Sequence, residues 1–445
     1  MSTNMKVLFV SLGCDKNLVD SEMMLGMLAA EGYTITDDER EADIIIVNTC
    51  CFIGDAKEES IETIIELGRL KEEGQCKLLV AAGCLAQRYH EEIQAELPEV
   101  DLIIGTTAYE NLPQTLNAAL EGTCKEQLAD IDYLPEVGAE RVHTTGGYYA
   151  YLKIAEGCDK CCTYCIIPKV RGHYRSIPME KLTEQAEKLV QKGVKEIILV
   201  AQETTLYGVD LYGKKALPGL LQKLAEIPGL HWIRILYCYP EEITEELLQV
   251  MAKEPKICRY LDIPIQHGSD DVLKRMGRRT TQADLREKIS RIREMVPEIA
   301  LRTTLITGFP GETEKDHQEQ LRFVQDMKFD RLGVFTYSQE EDTPAAQMPD
   351  QIPEEIKQAR RDEVMELQQR IAFEKAEDTI GTQMYAIVEG KLPEEGVFIA
   401  RTYRDAPDVD GYVFIRTEKE FMSGDFVKIH VTGAQGYDLI GELYE

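Results

Sequence analysis

The sequence predicts an α/β protein in three parts: a doubly wound parallel-sheet domain, a partial (βα)6 barrel, and a small antiparallel β-barrel. Three observations carry that prediction. Four short continuous apolar runs lie within residues 5–115. Six strand signals separated by helical stretches recur between residues 149 and 337. From residue 379 onward, short β runs are split by Gly, Pro and Asp turns.

In the first part the runs are Val7–Val10, Ile44–Val47, Leu78–Val80 and Leu102–Ile104, as expected of strands buried on both faces. Leu18, Leu25 and Leu28 keep one face of the helix after the first strand, and Gly32 marks its stop. Asp55 and Glu58 have the spacing of a capping box opening a second helix, whose apolar face would carry Ile61, Ile64 and Ile65. The expected boundaries are 1–120 for this domain, 121–146 for a linker containing Gly122, Pro135, Gly138 and Gly146-Gly147, and 147–350 for the barrel. The six barrel strands are read at Tyr149–Ala155, Ile197–Ala201, Trp232–Tyr237, Tyr260–Ile265, Leu301–Ile306 and Arg331–Tyr337. A charged helix over roughly Glu354–Glu377 connects, within 351–378, to the tail domain at 379–445. The tail strands are Met384–Val388, Val397–Tyr403, Tyr412–Thr417, Phe426–Val431 and Leu439–Leu443.

The 445 residues are 44% hydrophobic and 29% charged, a composition that packs rather than one that stays disordered. With 50 Lys and Arg against 79 Asp and Glu the net charge is −29, which disfavours a phosphate backbone as partner and favours a basic protein. No apolar run approaches the ~18–20 residues that span a bilayer, and no export signal is read, so a cytoplasmic protein without a membrane partner is expected. In that setting the 12 cysteines point to metal or redox chemistry rather than to a disulfide framework.

Three apolar runs lead straight into a cysteine: VLFVSLGC to Cys14, IIIVNTC to Cys50 and LLVAAGC to Cys84. In an open parallel sheet, ligands bind beyond the carboxyl ends of the strands, so the three thiols would converge on one edge. A small buried hydrophobe is the competing reading for any one of them, and Cys51 stands beside Cys50 as an alternative. After the first barrel strand comes G157-C158-D159-K160-C161-C162-T163-Y164-C165. Cys158, Cys162 and Cys165 form C-x3-C-x2-C, soft thiolates suited to an iron–sulfur cluster, and three ligands leave one of four irons open. Cys158/Cys161 with Cys162/Cys165 could also be two zinc knuckles, but they adjoin with no intervening loop, which strains closure around one ion.

C-x3-C-x-aromatic-C, with Tyr164 as the aromatic, resembles the signature of the radical S-adenosylmethionine enzymes. That resemblance implies a 4Fe-4S cluster on Cys158, Cys162 and Cys165 whose open iron chelates S-adenosylmethionine, with Tyr164 near the adenine. One electron would then cleave the sulfonium to methionine and a 5′-deoxyadenosyl radical. The whole chain is similar to the methylthiotransferase family, through SLGCDKNLVDSE at Ser11–Glu22, NTCCF at Asn48–Phe52, GCLAQR at Gly83–Arg88, IPIQHGSDDVLKRMGR at Ile263–Arg278 and TGFPGET at Thr307–Thr313. The resemblance implies a second 4Fe-4S cluster on Cys14, Cys50 and Cys84, the family's N-T-C order selecting Cys50. It also implies a radical barrel and a TRAM-like tail.

The implied reaction inserts a methylthio group at an unactivated C–H bond, whose proton no side-chain base could remove at neutral pH. SLGCDKNLVDSE resembles the branch that modifies the β-carbon of an aspartate in protein twelve of the small ribosomal subunit. The other branch modifies an isopentenylated adenosine of tRNA beside the anticodon, and a two-cluster electron carrier is an alternative of a different class. The tail, Thr379–Glu445, has 6 Lys or Arg and 12 Asp or Glu, a balance suited to a basic ribosomal protein. A flavodoxin- or ferredoxin-like donor is the implied source of electrons.

By the same resemblance Gln202 and Glu203, after the second barrel strand, stand where the methionine amino group is bound, and Gly308 and Gly311 would form a tight turn near the cofactor. His267 is read either as a contact to substrate or cofactor or as a satisfied structural histidine. Lys274, Arg275, Arg278 and Arg279 form a cationic patch, read either as a solvated helix face or as a contact for an acidic substrate loop. Cys51, Cys76, Cys124, Cys161, Cys238 and Cys258 have no ligand spacing with one another and are read as packing or incidental, Cys161 bordering the second trio.

Overall fold

The computed structural model describes residues 5–136, 141–392 and 396–444. Gly138, one of the expected linker turns, lies outside the described residues. The chain divides into two compact units. One comprises the chain up to Thr144 together with Ala155–Ser176 and Ser338–Ala346; the other comprises Thr145–Ile154, Ile177–Tyr337 and Gln347 onward. The C-x3-C-x2-C loop therefore packs in the same unit as the first three cysteines.

The first unit is built on β1 (Lys6–Ser11), β2 (Thr34–Ile35), β3 (Ile44–Thr49), β4 (Leu78–Ala82), β5 (Leu102–Ile104) and β6 (Glu126–Gln127). They form one parallel sheet in the order β2-β1-β3-β4-β5-β6. Ile45, Val47, Leu79, Ala81 and Ile103 enter the core on one face; Ile44, Ile46, Leu78, Val80, Leu102 and Ile104 enter the other. Burial on both faces is why these strands read as unbroken apolar runs. The two-residue edge strands β2 and β6 carry no such signal and were not anticipated. Ser11 pairs with Asn48 and Asn48 with Ala82, so three strand ends lie level.

Two expectations about the second helix fail. It runs Gly54–Gly68 with Ile53 at its N-cap and no side-chain cap, so Asp55 lies inside the first turn and Asp55/Glu58 form no capping box. The Gly54 N–H instead donates to Ser338 Oγ at 3.1 Å. Of the predicted apolar face, Ile64 is buried while Ile61 and Ile65 are exposed.

The second unit carries β7 (Tyr149–Lys153), β8 (Glu196–Val200), β9 (Trp232–Ile235), β10 (Ile257–Asp262), β11 (Ala300–Thr307) and β12 (Arg331–Thr336), an open parallel sheet in sequential order, as a partial (βα)6 barrel requires. The connecting helix occupies Glu354–Glu377. The tail closes into a five-stranded barrel of β13 (Gln383–Leu392), β14 (Val397–Thr402), β15 (Val413–Arg416), β16 (Phe426–Gln435) and β17 (Asp438–Leu443). Its pairings are antiparallel except β15 with β17, which run parallel. That pair closes the cylinder, because β17 returns after the β16 hairpin in the same direction as β15.

Buried charges tie the tail barrel to the parallel sheet. Glu196 at the start of β8 accepts from Arg234 Nε at 2.8 Å and from Arg401 Nη2 at 2.7 Å, all three side chains being fully buried. Tyr149 and Tyr260 donate to Asp408 and Asp410 of the loop after β14. Burial alone would raise the Glu196 carboxyl, but Arg401 and then Arg234 outweigh it and hold its pKa below the usual carboxylate range. Its stabilisation is therefore complete above the ordinary glutamate pKa of about 4.3 and is lost as the pH falls from there through the lowered folded value. Trp232, the single tryptophan, packs edge-on against Phe426 at 4.8 Å and reports on this junction. Glu196→Gln, leaving two buried guanidinium groups short of an anion, should destabilise this unit by about 3–5 kcal/mol at neutral pH. It should also flatten the loss of stability on acidification, both read from Trp232 fluorescence in urea.

Candidate functional site

Each of the first three cysteines follows a strand within three residues. Cys14 is the N-cap of the helix Asp15–Ala30, Cys50 follows β3, and Cys84 is the second residue of the short helix Gly83–Arg88 after β4. β1 and β3 flank the switch point where the sheet order reverses, the place where open α/β sheets bind ligands. Two glycines let the backbone come close enough. Gly13 has φ +85°, and a Cβ there would lie 2.6 Å from Cys50 Cβ; Gly83 has φ +87°, and a Cβ there would meet Asn48 Oδ1 at 2.2 Å and the Thr49 carbonyl at 2.8 Å.

The polar groups that hold this edge come from the helix Asp15–Ala30, whose Lys16, Asn17, Asp20, Ser21 and Glu22 are all buried. Asn17 Nδ2 donates to the carbonyls of Leu12 and Thr49 at 2.9 and 3.0 Å, and its Oδ1 accepts from the Cys84 thiol at 3.7 Å. Asn48 Nδ2 donates to the Asn17 carbonyl and to Ser21 Oγ, both at 2.9 Å. From periodicity, only Leu18, Leu25 and Leu28 of this helix are assigned a face; the motif Ser11–Glu22 carries the polar residues without a structural role. Polar residues at 17, 20 and 21 share a face by helical spacing, and that was the available signal.

The second trio lies on the loop between Ala155–Glu156 and Arg175–Ser176, which pair antiparallel. Cys158 N–H donates to the Gly172 carbonyl at 3.1 Å and Cys165 N–H to the Cys162 carbonyl at 3.0 Å. Cys158 and Cys162 are buried, whereas Cys161 is exposed with φ +52°, so the loop turns it outward between its neighbours. Tyr164 is half-buried. Ile166 and Val170, just past the loop, join the core that also contains Cys51 and Cys84.

Burial pushes the Cys51 thiol up to about 12, with Cys50 beside it adding to the rise. Burial also raises Cys50, Cys84 and Cys165, and neighbouring thiols add to each rise: Cys14 at Cys50, Cys51 with Cys50 and Cys14 at Cys84, and Cys162 with Cys158 at Cys165. Such groups stay protonated until a metal takes the proton's place. Two sets of mutually interacting, mostly buried thiols, three to a set, fit cubes with one free corner. Among the described residues no three His, Cys, Asp or Glu side chains gather as tightly as the ligands of a single ion would.

The other expected site residues lie in the second unit. Glu203 is fully buried, its Oε1 accepting from the Thr205 N–H at 2.9 Å and from the Thr205 hydroxyl, while Gln202 is partly exposed. Gly308 and Gly311 form the expected turn, closed by Glu312, whose Oε2 accepts from the N–H groups of Gly308 and Phe309 at 2.6 and 3.1 Å. His267 is fully buried, its Nδ1 accepting from the Ser269 N–H at 2.9 Å and its Nε2 lying 3.7 Å from Glu312 Oε2. Arg278 is buried over the Tyr239 ring, so the cationic patch reduces to Lys274, Arg275 and Arg279 at the surface.

Three family models match in chain order: Uncharacterized protein family UPF0004 over residues 6–105, the Radical SAM superfamily over 152–324 and the TRAM domain over 380–443. The chain is 62% identical over 437 residues to "Ribosomal protein uS12 methylthiotransferase RimO" of Lachnoclostridium phytofermentans, covering 98% of this chain and 99% of that protein. It is 50% identical over 442 residues to the protein of the same name from Geobacter sulfurreducens, covering 98% of each. Among solved structures, the radical S-adenosylmethionine methyltransferase TsrM of Kitasatospora setae shares the fold, with a TM-score of 0.58 at 15% identity over 77% of each chain. No helix among the described residues is long and apolar enough to cross a membrane.

Gly83 and Gly32 share a left-handed backbone, φ +87° and +88°, but only Gly83 is crowded. Gly32→Ala should cost about 1–2 kcal/mol, the backbone contribution alone. Gly83→Ala should cost clearly more and speed amide exchange in β3 and β4 measured by mass spectrometry; equal effects would remove crowding as the reason for that glycine.

Proposed function

The chain belongs to the ribosomal protein uS12 methylthiotransferase family, and on that premise we propose how its residues divide the work. It is a transferase whose cofactors are S-adenosylmethionine and 4Fe-4S clusters. Cys158, Cys162 and Cys165 hold the cluster that binds S-adenosylmethionine, with Tyr164 beside them as a cofactor contact. Cys14, Cys50 and Cys84 hold the second cluster. Gln202, Glu203, Gly308 and Gly311 are the cofactor-contacting positions of the barrel.

When bound, S-adenosylmethionine supplies radical chemistry able to remove hydrogen from a carbon that no side-chain base could deprotonate. The protein's own residues orient the cofactors and keep the surroundings dry. Buried Asn17, Asn48 and Ser21 fix the loops that carry the first trio. The Gly172 carbonyl fixes Cys158. The substrate is ribosomal protein uS12, modified at the β-carbon of an aspartate.

The observation that supports this reading is the packing of two cysteine trios, Cys14, Cys50 and Cys84 with Cys158, Cys162 and Cys165, into one compact unit. The net charge of −29 suits a basic ribosomal protein and disfavours RNA as the group recognised. A flavodoxin- or ferredoxin-like donor supplies electrons, and a ribosomal substrate puts the work in the cytoplasm.

The test is mass spectrometry of isolated uS12 and of tRNA after anaerobic incubation with the reconstituted enzyme, S-adenosylmethionine and reductant. A methylthio mass gain on uS12 is expected, and a gain confined to tRNA would overturn the substrate. Cys162→Ala should abolish 5′-deoxyadenosine formation. Cys84→Ala should leave cofactor cleavage intact yet stop methylthiolation, so equal loss of cleavage in both would refute the division of labour.

A further inference from the structure

Arg171 ends the short helix Ile167–Arg171, six residues after Cys165, and its side chain is 2% exposed. The guanidinium is bonded on all sides within the first unit. Nε donates to Cys84 Sγ at 3.3 Å, Nη1 to Asp20 Oδ2 at 2.7 Å and to Glu156 Oε2 at 3.2 Å, and Nη2 to Asn17 Oδ1. The next residue, Gly172, offers its carbonyl to the Cys158 N–H at 3.1 Å. One turn of chain thus holds a cysteine of each trio, through a side chain on one side and a carbonyl on the other.

A guanidinium does not lose its proton in a protein, so this is a permanent positive charge touching a sulfur ligand. A hydrogen bond to a cluster sulfur, and positive charge nearby, favour the reduced and more negative state and so raise the reduction potential. Asp20 and Glu156 counter part of that charge, and Asn17, which also faces the Cys84 thiol, holds the fork in register.

We propose that Arg171 sets the reduction potential of the cluster at Cys14, Cys50 and Cys84, acting from the loop that carries the other trio. This rests on the reading that each trio holds a cluster. Arg171 is a positioning and tuning residue, and the carboxylates of Asp20 and Glu156 trim its effect. Exchange of Arg171 and exchange of Asp20 should therefore shift the potential in opposite directions, which a merely structural role would not do.

The experiment uses the full-length chain with Cys158, Cys162 and Cys165 all changed to Ala, so that only the other cluster loads. Iron and sulfide content is measured first, then the midpoint potential by titration followed by electron paramagnetic resonance. Arg171→Lys keeps a cation for Asp20 and Glu156 but withdraws the Nε donor from Cys84, and should shift the midpoint to more negative values. Asp20→Asn removes a countercharge and should shift it to more positive values. Unchanged midpoints, or shifts of one sign, overturn the inference while leaving the cluster assignment standing. Should Arg171→Lys fail to load iron, Asp20→Asn decides alone: a rise supports the inference, and no change or a fall overturns it. A parent protein without any cluster overturns the cysteine assignment itself, and this inference with it.

Discussion

The parallel register of β1, β3 and β4 is the constraint on which the rest depends. Ser11, Asn48 and Ala82 stand side by side, and the chain reaches Cys14, Cys50 and Cys84 three, two and two residues later. A slip of one residue in any of these strands would exchange its core faces and move its thiol along the edge. Because both faces of the sheet are buried, a slip of β3 or β4 toward the cysteine edge would draw the flanking Asp43 or Lys77 into the core, so burial of the core also fixes the spacing of the cysteines.

Around that edge the protein buries polar groups that a core normally excludes. Asn17, Asp20, Asn48, Glu156 and Arg171 are all buried and joined to one another or to backbone carbonyls. Each would be costly alone; together they satisfy one another in a low-dielectric setting where the bonds are strong and the geometry is rigid. Rigidity matters where a sulfur ligand must be held without water. The second unit uses the same device for a different end, with Glu196, Arg234 and Arg401 joining the tail barrel to the sheet.

Much of this was legible from residues alone. Apolar runs located β1, β3, β4 and β5 because strands buried on both faces need them, and the charged helix was placed at its observed limits, Glu354–Glu377. The strand-to-cysteine spacing and C-x3-C-x2-C single out the two trios from local sequence, and the fold places both in one unit. Two readings of the second helix fail, each for its own reason. The Asp55/Glu58 spacing imitated a capping box, but the helix begins two residues earlier, at Gly54, where Ser338, far along the chain, receives the first N–H. Ile61 and Ile65 lie one position off the buried stripe of that helix, which runs through Ser60, Ile64, Leu67 and Gly68.

Local periodicity and short spacing account for the order of elements, the apolar faces of the sheets and the placement of the six thiols after their strands. Tertiary structure alone decided which buried charges meet. Arg171 finds Asn17 across 154 residues, and Arg401 finds Glu196 across 205. No local pattern encodes such pairs: a lone arginine reads as solvent-facing until the fold supplies the anions and the sulfur that make its burial stable.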